Sequence, residues 1–86
     1  MEKLIKWLET AEIGTPTVVC LNEDLRCPSL YAGKRDGVHQ FIDANKQYGL
    51  TEKYIIAHDI MCDIINTDEE LMEITTIIDR VKKEGR

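Results

Sequence analysis

Asp36-Gly37-Val38-His39-Gln40-Phe41-Ile42-Asp43-Ala44-Asn45-Lys46-Gln47-Tyr48 is the stretch whose reading decides the fold of this chain. Projected at about 100° per residue, Val38, Phe41, Ile42, Ala44 and Tyr48 gather on one side, as they would in a helix laid on a core. Asp36 is a suitable N-cap. Gly49 followed by Leu50 suits a left-handed stop with an apolar residue beyond it. One residue fits poorly: Asn45 falls in the middle of the apolar side, where its amide would need hydrogen-bond partners from the neighbouring backbone or the 28–37 loop. Read this way, residues 36–48 form a helix.

Working toward the C-terminus, Thr51 can cap a further helix running to about Asn66. Its apolar residues, Tyr54, Ile55, Ile56, Ala57, Ile60, Met61, Ile64 and Ile65, cover most of the circumference, which places it centrally. Thr67 with Glu70 has the spacing of a capping box and opens a helix over 67–84. Leu71, Ile74, Ile77, Ile78 and Val81 form its apolar stripe. Acids stand in its first turn and lysines near its end, as the helix dipole favours.

Toward the N-terminus, residues 28–37 read as a loop, with Pro28, Gly33 and Gly37 among polar neighbours. Leu25–Cys27 reads as a strand kept short, or at an edge, by Pro28, which has no N–H for a ladder. Asn22, Glu23 and Asp24 read as a turn, and Thr17–Leu21 as a buried strand rich in β-formers. Residues 2–12 read as an amphipathic helix ended by Gly14 and Pro16. The expected architecture is α+β but predominantly α, in the order α-β-β-α-α-α. It is a small helical cluster with one short β-hairpin packed against it, forming a single domain over 1–86.

The 86 residues carry a net charge of −5, unevenly spread. Residues 1–50 are nearly balanced at −1, residues 51–79 stand at −7 and residues 80–86 at +3. An acidic middle lacks the concentrated positive face that nucleic acid requires, so no direct nucleic-acid binding is expected. Nor does the 36–66 segment suit a helix-turn-helix: its second helix would offer only Lys53 as a cation. Charges interrupt every apolar run too early for a membrane helix, and Glu9 and Glu12 fall where a signal peptide needs its apolar stretch. With three cysteines, an odd number, the expectation is a cytoplasmic chain with free thiols.

Four constellations bear on function. Asp59, Asp63, Asp68, Glu69, Glu70 and Glu73 form an acidic run that no lysine or arginine interrupts. Beyond a solvated face, it is the candidate surface for a protein partner with a basic patch, such as a nucleic-acid-binding protein. Tyr31, Lys34, Arg35 and His39 stand around two glycines just before the expected helix start at Asp36, where backbone N–H groups could hold a phosphate or carboxylate. This is not a Walker loop, and a solvated connector explains it as well. His58 and Cys62, four residues apart on the expected central helix, are a minimal nucleophilic pair. They have no third orienting residue and are better read as core. Zinc would have to draw on Cys20, Cys27, Cys62, His39 and His58 without any Cys-x-x-Cys pair. Cys20 and Cys27 would face each other only across a two-residue turn at Glu23 and Asp24.

No acid, base and nucleophile converge, so no enzyme, metal or cofactor is expected. The functional expectation is a small acidic regulator or inhibitor acting by protein–protein binding through the last two helices. The alternatives are a small-ligand or nucleotide-phosphate binder using the 31–39 loop, and a homodimer whose seam would be Ile77, Ile78 and Val81.

Overall fold

A computed structural model describes residues 7–22 and 24–84. Its centre is an antiparallel sheet of five strands: β1 (Pro16–Asn22), β2 (Leu25–Arg35), β3 (Val38–Ile42), β4 (Gln47–Thr51) and β5 (Met61–Asp63). The strand order is β4-β3-β2-β1-β5. Two helices accompany it, α1 (Glu52–Ala57) and α2 (Asp68–Lys83), and residues 7–10 are helical. Strand accounts for 40% of the described residues and helix for 34%, which overturns the expectation of a predominantly helical cluster with one hairpin.

The decisive correction lies in 36–48. Asp36 and Gly37 both adopt positive φ, 52° and 79°. Such a pair makes the two-residue turn whose twist matches that of the flanking strands. Asp36 is therefore a turn residue and not an N-cap, and Val38 begins a strand. His39 and Phe41 are buried, at 1% and 0% exposure, whereas Val38, Gln40 and Ile42 between them are only half-buried. The polar His39 on the inner face hid this period of two. Asn45, misplaced in a helix, sits in the β3–β4 turn: Asp43 Oδ1 accepts the N–H groups of Asn45 and Lys46, each at 2.7 Å. An Asx turn of this kind needs no other local support.

The expected helix over 51–66 is also interrupted. Thr51 does cap it, its Oγ1 accepting from Tyr54 N at 3.0 Å. The helix stops at Ala57, His58 forms its C-cap and Asp59 takes φ 54°. Ile60 then enters the core, and Met61–Asp63 pairs with Val18–Cys20 of β1. A helix with apolar residues all round needs cover on every side; splitting it buries Ile55 and Ile60 and leaves Ile56 and Ile64 exposed. The expected 28–37 loop is strand as well, continuing β2 through Arg35. Nor does Pro28 keep its strand short or at an edge: β2 runs eleven residues through it as the central strand, and Pro28 is accommodated because it pairs with Val18 of β1 while β3 joins only from Leu30 onward.

Both faces of the sheet are covered. On one, Leu30 meets Ile74 and Ile77 of α2, flanked by Ile42, Ala44, Ile65, Ile78 and Val81. On the other, Val19, Tyr31, Phe41 and Leu50 pack with Ile55, Ile60 and Leu8, against Trp7 and Ala11. Helical residues 7–10 agree with the expected first helix; the rest of that expectation, over 2–6, lies outside the described residues. The helix expected over 67–84 is α2, capped by Thr67 Oγ1, which accepts from Glu70 N at 3.1 Å. No helix among the described residues is long and apolar enough to cross a membrane.

Candidate functional site

The acidic run does not form one surface. Arg26 of β2 reaches two of its members: Nη1 lies 2.7 Å from Asp63 and Nε 2.7 Å from Glu70, with Nη2 donating to the Ile64 carbonyl at 3.2 Å. Glu70 is buried and also accepts Asn66 N–H. The guanidinium holds both carboxyls below their ordinary values, helped at Asp63 by Ile64 N–H and at Glu70 by Asn66 N–H. Arg26 therefore ties both Asp63, which stays exposed, and buried Glu70 into the fold. Nothing local in the sequence marks this triad, whose members stand 37 and 44 positions from Arg26.

Asp59, Asp68, Glu69 and Glu73 are exposed and make no ion pair with another described residue. The last three stand on the first two turns of α2. Between them, Leu71 and Met72 are 51% and 69% exposed, because the core takes Ile74 and Ile77 from this helix. The outer side of α2 thus combines two bare apolar side chains with three free carboxylates. Ile77 is fully buried, and Ile78 and Val81 pack on the same cluster, so the expected dimer seam is largely spent within the chain.

Tyr31, Lys34, Arg35 and His39 lie on the β2–β3 hairpin, not before a helix. The anion site expected at a helix N-terminus loses its dipole and its free N–H groups. Tyr31 and His39 are buried and bond to each other, Oη to Nδ1 at 2.9 Å. His39 Nε2 lies 3.6 Å from Glu52 Oε1 and lacks a hydrogen-bond partner among the described residues. Lys34 leans toward the same carboxylate at 3.6 Å, and Arg35 is exposed at the end of the hairpin. The four residues do not converge on one open site.

The helical spacing of His58 and Cys62 is also lost. His58 is exposed at the end of α1 with its ring against Tyr54, and Cys62 is half-buried in β5. Burial pushes the Cys62 thiol up to about 11 and raises the thiols of Cys20 and Cys27. Cys20 and Cys27 do not face each other, although Asn22 does pair with Leu25. An irregularity between Cys20 and Asn22 shifts the register, so that Cys20 lies opposite Arg26 and Cys27 opposite Val19. Among the described residues, no group of three or more His, Cys, Asp or Glu is arranged to hold a metal ion.

One feature has no counterpart in the sequence reading. A cleft of about 490 Å³ opens between the turn end of the β1–β2 hairpin and the 43–46 turn. Cys27, Tyr48 and Asp43 line it, and beneath them Tyr48 Oη and Ser29 Oγ share a hydrogen bond of 2.7 Å. Cys27 Sγ lies 3.7 Å from both Ser29 Oγ and Asp43 Oδ2. Compared with protein-family models, curated proteins and solved structures, the chain matches none.

Proposed function

We propose that this domain is a regulatory or inhibitory module that binds a protein partner bearing a basic surface, through the outer side of α2. The observation that carries the reading is the pairing, on two turns of one helix, of exposed Leu71 and Met72 with the carboxylates of Asp68, Glu69 and Glu73, which make no ion pair among the described residues. An apolar centre with a charged rim is the ordinary anatomy of a protein interface. The sign of the rim selects a cationic partner and speeds its approach. A nucleic-acid-binding protein, whose working surface is basic, fits this chemistry. Occupying that surface would block it, and for this the domain needs no catalytic group.

The test is capture of partners from native cell extract by the tagged protein, at low and high salt, followed by kinetics on the captured partner. The double variant Glu69→Lys/Glu73→Lys should lower the association rate by about tenfold or more at low salt. Met72→Ala should mainly speed dissociation. Both sites are exposed, so the melting temperature should move little. Unchanged rates in both variants would end this reading.

A further inference from the structure

The structure assigns a second binding site to the cleft between the two hairpins, for a small, uncharged, largely apolar molecule. The cleft exists because the Leu25–Ser29 half of β2 pairs with β1 alone, and β2 meets β3 only from Leu30 onward. Its two walls cannot close, because both are tied to α2. Arg26 of β2 binds Glu70, while Arg80 donates to the carbonyls of Ala44 and Asp43 in the opposing turn. Glu70 and Arg80 stand about 15 Å apart along the helix, at roughly 1.5 Å per residue. The helix thus acts as a spacer between the walls, and Asp43 stiffens the turn from within.

The volume, about 490 Å³, lies within the roughly 300–1,000 Å³ of small-molecule sites. Leu21, Leu25, Tyr48, Leu50 and Tyr54 supply apolar wall, and Leu25 and Tyr54 remain 48% and 46% exposed there. The charges determine the ligand class. Arg26 is spent on its carboxylates and Asp43 on the turn. Lys46 and Glu73 remain, one of each sign and without an ion pair among the described residues, so the lining offers no net charge to an ion. Pro28, in the one-sided stretch of β2, denies an added peptide strand a continuous ladder, which favours a compact molecule over an extended peptide.

Three probes of one shape and different charge test the proposal on the full chain: benzyl alcohol, benzoate and benzylammonium, each followed by amide NMR shifts. Benzyl alcohol should give saturable shifts at millimolar concentration, centred on Leu25, Tyr48 and Tyr54, with both ions weaker. Leu25→Trp and Asn45→Trp, two exposed positions on the lining, should each fill the cleft and abolish the shifts while the melting temperature holds. Absence of saturable shifts would overturn the site. Preference for either ion would overturn the ligand class, and undiminished binding in both folded Trp variants would overturn the location.

Discussion

Arg26 shows how much of this protein depends on one side chain. It joins β2 to β5 through Asp63 and to α2 through Glu70, and it also satisfies the Ile64 carbonyl. Both carboxyls titrate below their ordinary values in the folded state, so their contribution to stability is complete above the unfolded values near about 4. It is lost as the pH falls through the lower folded values. The melting temperature should therefore drop steeply below about pH 4. In Arg26→Met the protein should melt lower at pH 7, because buried Glu70 is left without its cation, and its acid limb should be shallower. Melting curves from pH 2 to 7 on both proteins check this, and parallel acid limbs would contradict it.

Among the elements, the β2–β3 hairpin depends on the backbone conformation of its turn. Gly37 at φ 79° occupies a conformation that costs a residue with a Cβ roughly 1 kcal/mol, and a β-branched one more. Gly37→Ala should destabilise by about 1 kcal/mol and Gly37→Val by about 2 kcal/mol, read from urea midpoints at unchanged slope. If residues 36–48 were a helix instead, Gly37→Ala would stabilise it by about the same amount, so the sign of the effect distinguishes the two elements. The helical projection was misleading because Val38, Phe41 and Ile42 satisfy helical spacing by coincidence, while the strand period was masked by His39. An Asp-Gly turn followed by β-branched and aromatic residues is the contrary signal, and Asn45 on the apolar side of the projection is consistent with it. By contrast, α2 was legible: its cap, its terminal charges and its apolar stripe from Ile74 onward agree with the helix found, and only Leu71 of that stripe is left outside the core.

At the scale of the molecule, the sheet is buried on both faces, and each face has its own cluster. Ile77 anchors one and Phe41 the other, both fully buried. Truncation of either to alanine should cost about 3–4 kcal/mol, a large part of the roughly 5–15 kcal/mol that a domain possesses. The two losses should appear in one cooperative transition, because Leu30 and Tyr31 are neighbours on β2 with their side chains in opposite clusters. Calorimetry would show a single peak in each variant; two separated transitions would mean that the layers unfold independently. The binding surface on α2 follows from the same layering: once Ile74 and Ile77 turn inward, Leu71 and Met72 have no internal partner.

Local chemistry written in adjacent residues was readable without coordinates: the cap of α2 and its apolar stripe from Ile74 onward, the β1–β2 turn, the cap at Thr51 and the concentration of acid after residue 50. These depend on interactions within a few positions of the chain. The number of strands, the division of the acids into two that serve the fold and four that face outward, and the cleft between the hairpins were not readable. Each depends on pairing between distant residues: Val38 with Thr51, Val19 with Cys62, Arg26 with Glu70 and Arg80 with the 43–46 turn. A short amphipathic segment can serve as helix or strand, and the partner it meets in three dimensions selects between them, because burial of the whole face outweighs the segment's own preference.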